Sequence, residues 1–295
     1  MQKKLIYNLG RRGFFSEINN MILAKIFAQK NNYEFEVNSF YWNCRYKEGL
    51  RDYFELHFPE NNNILSAQQT RSDQKFVILP HNAHDLFYNI IYVFNYIYML
   101  FNKNIILGNT IFSYLRTKEF LLSINQEEYK SEIRNLLNYN KKLMCYYEKR
   151  IKELGLSEKY IGVHIRRGDK ITTGEMKNIP IKQYIDSILA SNIKSIYIAT
   201  DDISVISKIK DSINCKDINI FYNTNSFNNG FNEGSFNHSN KKARYSETIE
   251  LLFDVYVLSK ATYFIGTYSS NLSRVIPCFI NENNCKSLDE KWYVG

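Results

Sequence analysis

The chain has 295 residues, of which 44% are hydrophobic, and it carries a net charge of +8. This length allows two domains or one large one, and the apolar fraction is enough for a sizeable core. The positive charge suits an anionic ligand such as a nucleotide, a nucleic acid or a membrane surface. No block of basic residues with interleaved aromatics occurs, which argues against a nucleic-acid partner.

The cysteines and the N-terminus indicate a reducing compartment. The five cysteines form no CxxC pair, and none has zinc spacing to a histidine. The first ten residues contain too short an apolar core for a signal peptide. The uncharged aromatic stretch 86–101 is short of a full membrane span, so we interpret it as a buried helix. We therefore expect a cytoplasmic protein with no membrane anchor.

The first half of the chain combines short apolar strands with helical patterns. It opens with a predicted strand, a glycine-bearing turn and a helix, an arrangement that favours anions. Strands are predicted at residues 3–7, 33–37, 75–79 and 104–107, and helices at 15–29, 49–58, 86–101 and 126–154. We place the domain boundary near the last helix, which gives an N-terminal domain of residues 1–150 and a C-terminal domain of residues 151–295.

The second half alternates strands and helices regularly. Strands are predicted at residues 161–165, 195–199, 218–221 and 263–266, and helices at 181–190, 203–210, 246–259 and 271–279, with an asparagine-rich loop at 223–242. This alternation predicts a parallel sheet with helices on both faces.

The segment 160–170 carries the most informative chemistry. A buried strand is followed at once by Arg166, Arg167, Asp169 and Lys170. Ligands of open α/β sheets bind at the carboxyl ends of the strands, and adjacent guanidinium groups can grip a phosphate in a planar fork. The alternative is a solvated basic loop after a core strand.

Three further loops are predicted to meet this one, because the carboxyl ends of parallel strands share one edge. The loop at residues 267–270 would supply hydroxyls, among them Ser269 and Ser270, and N–H groups at the start of a helix. Together with the arginines it would form a pyrophosphate clamp. The adjacent carboxylates Asp201 and Asp202 lack the spacing of a DxD motif and would point apart. We therefore expect no metal there, and Asp202 could simply cap the next helix.

Several motifs in order resemble one enzyme family. They are IGVHIRRGDK at residues 161–170, IYIATDD at 196–202, ARYSETIELLFDVYVLS at 243–259 and FIGTYSSNLSRV at 264–275. They resemble the α1,6-fucosyltransferases of glycosyltransferase family 23 and, more loosely, the α1,2- and protein O-fucosyltransferases. Two departures concern the segment after the first motif's strand. Gly168 stands where the α1,6 pattern usually has threonine, and one extra residue separates Asp169 from Glu175.

The resemblance implies a GT-B-like α/β fold, with two Rossmann-type domains facing across a cleft. The N-terminal domain would lie on the acceptor side, and the C-terminal domain would bind the nucleotide sugar. The activity implied is inverting transfer of L-fucose from GDP-fucose to a glycan, of α1,6 type. No metal and no other cofactor would be needed, and the partners would be the donor and the glycan acceptor.

The resemblance also implies residue roles. Guanine would contact His164 and Asp254, and the β-phosphate would contact Arg166 and Ser270. Glu175 would be the general base, with Lys170 beside it and Asp169 in reserve. The complete implied set for the nucleotide sugar is Gly10, Gly13, His164, Arg166, Arg167, Tyr184, Asp201, Asp202, Asp254, Ser269 and Ser270.

Elementary chemistry agrees with these roles. Sugar transfer builds a cation-like sugar and an anionic leaving group, and a carboxylate must accept the proton of the acceptor hydroxyl. Three alternatives stay open. The protein could be an α1,2-fucosyltransferase or another GDP-sugar glycosyltransferase, a non-catalytic glycan- or nucleotide-binding protein, or a basic nucleic-acid binder.

Overall fold

The structure, a computed structural model, describes residues 2–67, 90, 93–94, 96–98, 100–174, 176–213, 217–225 and 230–292. It divides into two compact units, the first running to Asn138 and the second beginning at Tyr139. The predicted boundary at residue 150 would cut helix Lys141–Leu154, which belongs entirely to the second unit. The boundary therefore lies before this helix, where Asn140 accepts a hydrogen bond from the N–H of Leu143 and caps it.

The first unit is built on a four-stranded parallel sheet. Its strands are β1 (Lys4–Asn8), β2 (Glu34–Asn38), β3 (Glu60–Asn61) and β4 (Ile105–Leu107), in the order β3-β2-β1-β4. The chain moves outward from β1 to β3 on one side and returns to place β4 on the other. The direction of strand order thus reverses between β1 and β4, and such reversal points form ligand crevices in α/β sheets.

The helices of the first unit whose full length is described are α1 (Phe14–Lys30), α2 (Gly108–Leu115), α3 (Lys118–Leu122) and α4 (Gln126–Leu136). The helix predicted at 49–58 is wrong, because only a 3-10 turn forms at Gly49–Asp52. The Asp52 carboxylate accepts hydrogen bonds from the N–H groups of residues 46–49 and fixes a compact turn instead. The single helix predicted at 126–154 is two helices, broken between Leu136 and Lys141.

Two predicted elements of this unit fall on a segment that the structure describes only in part. The strand predicted at 75–79 lies outside the described residues, as does much of the stretch 86–101. The described residues 90, 93–94, 96–98 and 100–101 are helical. Their large apolar side chains, such as Phe94, Leu100 and Phe101, are exposed rather than buried as expected. Within the described residues, no helix has the length and apolar character needed to cross a membrane.

The second unit has a five-stranded parallel sheet. Its strands are β5 (Ile161–Ile165), β6 (Ser195–Thr200), β7 (Asn219–Tyr222), β8 (Tyr263–Gly266) and β9 (Cys285–Ser287), in the order β7-β6-β5-β8-β9. The β-branched run predicted for β5 is completely buried. Strand order reverses between β5 and β8, so this sheet also has a crevice beside its central strand.

Six α-helices belong to the described part of this unit: α5 (Lys141–Leu154), α6 (Asp169–Thr172), α7 (Ile181–Leu189), α8 (Ile203–Ile213), α9 (Glu233–His238) and α10 (Lys241–Leu258). One core cluster contains isoleucines of β5, β6, α7 and α8. The predicted α/β class of GT-B type is confirmed, because both units are parallel sheets with helices packed against them.

Three predictions for the second unit need correction. The helix expected at 271–279 is a series of turns ending in a 3-10 helix at Ile276–Cys278, since Pro277 cannot donate the hydrogen bond that an α-helix needs. The loop expected at 223–242 contains α9, capped by Asn232, whose side chain accepts the N–H of Ser235. Strand β9 was not predicted, because Cys-Lys-Ser has no apolar run to indicate a strand.

Candidate functional site

The candidate site lies at the carboxyl edge of the second sheet, beside its central strand. In the parallel register, Ile165 of β5 lies opposite Thr200 of β6, and Val163 lies opposite Ile265 of β8. The loops that follow β5, β6 and β8 therefore leave the sheet at the same edge, as predicted. Arg166 is the first residue after β5, and Ser270 lies in the loop that follows β8. Reversal points such as the one between β5 and β8 are where ligands of α/β sheets bind.

Arg166 is held on three sides by neighbouring groups. Its Nε lies 3.2 Å from Asp201 Oδ2, and its Nη2 donates to Asp169 Oδ1 at 3.1 Å. The Phe231 ring lies under the guanidinium, with its centroid 5.0 Å from Cζ. Within the described residues, Nη1 has no partner, so the fixed fork keeps donor capacity for an anion.

Asp201 organises the loop after β5 instead of facing outward. Its carboxylate accepts hydrogen bonds from the N–H groups of Arg167 (2.7 Å), Gly168 (2.9 Å) and Phe231 (3.3 Å). Both oxygens of Asp169 are also engaged, since Oδ2 accepts the N–H of Glu233 at 2.8 Å. The structure thus brings the two predicted carboxylates together with Arg166 and gives them a positioning role.

Two other predicted residues point away from Arg166. Arg167 donates from Nη1 to Asn178 Oδ1 and from Nη2 to the carbonyl oxygen of Ile179 at 2.6 Å. The guanidinium groups of Arg166 and Arg167 are therefore not arranged to bind one phosphate together. Asp202 accepts the N–H of Ser204 at 2.9 Å at the start of α8, which is the capping role that the sequence left open.

Lys170 faces an acidic residue that the sequence did not single out. Its Nζ lies 3.7 Å from Glu233 Oε2, in helix α9, and both side chains are partly buried. Glu175, the predicted general base, lies outside the described residues. Asp169 is the predicted alternative to Glu175 as the base. Both of its carboxylate oxygens already accept hydrogen bonds, one from Arg166 and the other from the backbone N–H of Glu233.

Gly168 is required by the packing of this loop. A Cβ atom at this position would lie 2.5 Å from the carbonyl oxygen of Phe231 and 2.6 Å from Asp201 Oδ2. Both are much closer than van der Waals contact allows. The glycine that departs from the α1,6 pattern therefore lets the segment around Phe231 lie directly on residues 166–170, the arginine loop.

We expect Gly168→Ala to lower the free energy of unfolding by about 1–3 kcal/mol, because the added carbon overpacks a site walled by backbone. Urea unfolding of both proteins measures the difference. Gly13→Ser is the matched control, since a Cβ there meets nothing within 4 Å and serine is a preferred helix N-cap. Equal loss in the two variants would contradict the steric account.

His164 is a buried, neutral imidazole at the end of β5. Its Nδ1 lies 2.6 Å from Ser273 Oγ, and 6% of the residue is exposed. Burial, helped by the nearby Arg166 charge, lowers its pKa to about 3. At neutral pH this residue can therefore exchange neutral hydrogen bonds with a ligand but adds no charge.

Asp254 belongs to a buried polar network behind β6. It accepts a hydrogen bond from the Tyr197 hydroxyl at 2.6 Å, and burial raises its pKa to about 7. Close by, Arg150 donates to Glu250 at 2.7 Å and to Asn223 at 2.9 Å, which joins α5, α10 and the end of β7. The sequence predicted Asp254 but not its partners, because they lie in separate elements with no motif spacing.

The raised pKa of Asp254 predicts that this group makes the fold less stable as the pH rises. The folded state favours the protonated carboxylic acid of Asp254. The contribution of this group to the free energy of unfolding is therefore complete below its ordinary pKa near 3.8 and is lost as the pH rises through about 7. Asp254→Asn keeps an acceptor for Tyr197 without the charge. We expect the variant to gain roughly 1–3 kcal/mol relative to the parent between about pH 4 and pH 8. Urea unfolding across this range measures it, and a pH-independent difference would contradict the prediction.

The loop after β8 differs from the predicted anion site. Its N–H groups are already used, since Tyr268 and Ser269 donate to the Asp289 carboxylate at 2.6 and 3.0 Å and Ser270 donates to the Thr267 carbonyl. Burial acts to raise the pKa of Asp289, but hydrogen bonds from Ser269 and nearby N–H groups outweigh it and lower the pKa. An ionised side chain thus occupies the N–H groups expected for phosphate, and no α-helix begins here.

The remaining predicted residues belong to other elements than the loop that carries Arg166. Tyr184 is buried in α7, where burial raises its pKa to about 12. Gly10 and Gly13 belong to the first unit, in the turn after β1, where the Gly10 carbonyl accepts the N–H of Asn43 at 3.2 Å. In the described part of the chain, no three His, Cys, Asp or Glu side chains are arranged to hold a metal ion.

Comparison with solved structures shows a shared fold. A NodZ alpha-1,6-fucosyltransferase co-crystallised with GDP matches with a TM-score of 0.58 and 13% sequence identity, covering 95% of this chain and 93% of that one. NodZ from Bradyrhizobium matches with a TM-score of 0.58 and 12% identity over 95% and 93%. POFUT1 in complex with GDP-fucose matches with a TM-score of 0.56 and 11% identity over 94% and 93%.

A family model identifies the chain more closely than these structures do. The model of the alpha-(1,6)-fucosyltransferase N- and catalytic domains matches residues 130–280, half of the sequence. The match includes β5, the arginine loop, β6, α10 and the loop after β8. It therefore covers the motifs that indicated this family and the site geometry built on them. By this match, the chain belongs to the alpha-(1,6)-fucosyltransferase family.

Proposed function

We propose that the protein transfers L-fucose from GDP-fucose to a glycan, with inversion and α1,6 linkage. The observation that carries the proposal is Arg166, which is fixed by Asp169 and Asp201 at the strand-order reversal of the second sheet, with no partner for Nη1 among the residues that the structure describes. Family membership supports the reaction type. We assign nucleotide-sugar binding to the second unit and acceptor binding to the first.

Arg166 would stabilise the leaving group. As the bond from fucose to GDP breaks, negative charge grows on the diphosphate, and a donor already held in place stabilises it without reorganising. The two carboxylates and the Phe231 ring keep the guanidinium in one orientation. His164 would exchange neutral hydrogen bonds with guanine, as the low pKa of its imidazole requires.

We assign the general base to Glu175, with Lys170 beside it. A carboxylate must take the proton of the acceptor hydroxyl as the new bond to fucose forms. Asp169 is a poor substitute, because protonating it would break its pair with Arg166. Asp254 is buried against Tyr197, so we assign it to supporting the guanine pocket from within the fold.

One observation favours a second linkage. Gly168 gives the arginine loop the RRGD sequence found in α1,2-fucosyltransferases, and its missing Cβ makes room for the backbone of Phe231. The loop at this point is therefore packed differently from one that carries threonine. An α1,2-fucosyltransferase with the same donor is the second candidate.

A transfer assay tests both candidates. The full chain is incubated with GDP-fucose or GDP-mannose and a glycan array, and product linkage is determined by NMR. We expect fucose transfer in α1,6 linkage, unchanged in excess EDTA. A loss of activity that Mn²⁺ restores would make Asp201 and Asp202 metal ligands. GDP binding without turnover on any acceptor would instead support a non-catalytic binding protein.

A further inference from the structure

Ser273 contacts the ring of His164 from the turn that follows β8. Its Oγ lies 2.6 Å from His164 Nδ1, and the serine is completely buried, with 0% of its surface exposed. Among the described residues, this hydroxyl has no other hydrogen-bond partner. The protonation of the ring and the orientation of the hydroxyl are therefore set by one hydrogen bond.

The position of Ser273 is fixed by the packing around β8. The turn is closed by two backbone hydrogen bonds, from the N–H of Ser270 to the Thr267 carbonyl at 3.2 Å and from the N–H of Arg274 to the Ser270 carbonyl at 3.1 Å. A Cβ atom on Gly266, the last residue of β8, would lie 2.8 Å from Ser273 Oγ. The hydroxyl thus lies directly against the β8 backbone, which leaves it little room to move away from the ring.

The direction of this hydrogen bond follows from the burial of Ser273. If Nδ1 donated to Oγ, the hydroxyl hydrogen would be buried without an acceptor, which costs about as much as a lost hydrogen bond. If Oγ donates to Nδ1 instead, that hydrogen is satisfied and only lone pairs of the oxygen lack a partner. A serine hydroxyl can rotate to the orientation that satisfies it. We therefore expect Oγ to donate and Nδ1 to accept.

This direction decides which nitrogen of His164 carries the proton. Burial, helped by the Arg166 charge, lowers the pKa of His164 to about 3, so the ring is neutral at physiological pH. A neutral imidazole has one N–H and one acceptor nitrogen, so the proton must be on Nε2 when Nδ1 accepts. Nε2 has no hydrogen-bond partner among the described residues and is not fully enclosed. It is therefore a donor that a ligand can reach.

We infer that Ser273 is a positioning residue for base selection, which holds His164 as an Nε2–H donor and so favours a 6-oxopurine over a 6-aminopurine. The inference rests on the proposed function, since it names how the GDP site would distinguish guanine from adenine. Guanine presents two acceptors on one edge, N7 and O6, whereas adenine presents the N7 acceptor and the N6 amino donor. A ring held as a donor pairs with O6 but meets another donor at N6.

The first measurement is the protonation of the ring itself. NMR of the isotope-labelled full chain without nucleotide should show His164 Nε2 as the protonated nitrogen and Nδ1 as the unprotonated one. The resonances are assigned by their loss in His164→Gln. In Ser273→Ala the ring loses the partner that fixes it, so the His164 resonances should shift while those of the other histidines stay. A proton on Nδ1, or a cationic ring at neutral pH, would overturn the inference.

The second measurement compares GDP, inosine diphosphate and ADP by calorimetry, because inosine diphosphate keeps O6 but lacks the 2-amino group of guanine. We expect the parent to bind both 6-oxopurine nucleotides at least about tenfold more tightly than ADP. Ser273→Ala should weaken both by about fivefold and leave ADP little changed, since only the donor to O6 is disturbed. Ser273→Cys, whose S–H is a weaker donor, should lie between.

A matched control separates this effect from the loss of any buried serine. Ser187 in α7 is also buried, and its Oγ donates to the Gln183 carbonyl at 2.8 Å. Ser187→Ala should leave the three affinities and the His164 resonances unchanged. Urea unfolding of both variants measures their stability, and the ring protonation and base preference of the parent decide the question if Ser273→Ala does not fold.

Other outcomes would overturn the inference. Equal affinities of the parent for GDP and ADP, or equal losses for both in Ser273→Ala, would show that Ser273 supports the fold of the site and not the choice of base. No nucleotide binding by the parent would also overturn it. Failure of the proposed function looks different, because GDP would then bind with its preference over ADP intact while no acceptor received fucose.

Discussion

Replacing Glu175 by glutamine is expected to abolish fucose transfer while leaving GDP binding nearly intact. Glutamine keeps the size and hydrogen-bonding reach of the side chain but cannot accept a proton. General-base catalysis is worth about 10²–10⁴-fold in rate, and the loss should appear in kcat. Because the proposed role of Glu175 brings its negative charge close to the diphosphate, removing that charge should leave GDP affinity unchanged or raise it slightly. Steady-state kinetics and calorimetry with GDP on the same preparation measure both quantities.

A matched substitution separates this effect from general damage. Glu158→Gln makes the same change at an exposed position and should leave kcat and GDP affinity unchanged. Near-normal kcat in Glu175→Gln would remove Glu175 from the mechanism. The carboxylate of Glu233, 3.7 Å from Lys170, would then be the next to substitute. A parallel loss of GDP binding would make Glu175 a structural residue.

Arg166→Ala is expected to weaken GDP binding by roughly 2–5 kcal/mol, the usual cost of truncating one partner of a buried charge pair. The change has two parts. The diphosphate loses its fixed donor, and Asp169 and Asp201 lose the cation that lies between them. Calorimetry with GDP measures the loss, and urea unfolding reports any damage to the loop.

Two neighbouring variants make this prediction specific. Arg166→Lys keeps the charge but not the planar fork, so its GDP affinity should be intermediate. Arg167→Ala removes the adjacent arginine, which is tied to Asn178 and Ile179, and should cost much less GDP affinity. Equal losses at the two arginines, or unchanged affinity in Arg166→Ala, would place the diphosphate elsewhere.

The sequence predicted the elements whose local pattern and burial agree. Strand 161–165 and the helix after the first turn were predicted nearly to the residue, because an apolar run or a helical period is visible within one segment. The predictions failed where a distant or irregular partner decides the structure. Residues 49–58 fold around the carboxylate of Asp52, and Pro277 prevents the helix expected at 271–279.

In the candidate site, too, local features could be predicted and contacts between distant segments could not. That Arg166 follows a central parallel strand could be predicted from order and composition alone. That Asp201 accepts three backbone N–H groups could not, because two of the donors follow β5 and the third belongs to Phe231, thirty residues beyond Asp201 itself. Likewise, nothing in the sequence pairs Asp289 with the loop at 268–269. Such contacts depend on how loops meet at the sheet edge.

The short C-terminal strand β9 also protects the sheet from self-association. It pairs with β8 through Phe264–Cys285, Ile265–Lys286 and Gly266–Ser287, and among the described residues it is the edge strand on that side of the sheet. Without it, β8 would expose unpaired N–H and C=O groups along an apolar strand, a template on which a second chain could add. Strand β9 is only three residues long and has Lys286 at its centre. Its own outer edge is therefore a poor template for pairing with a second chain.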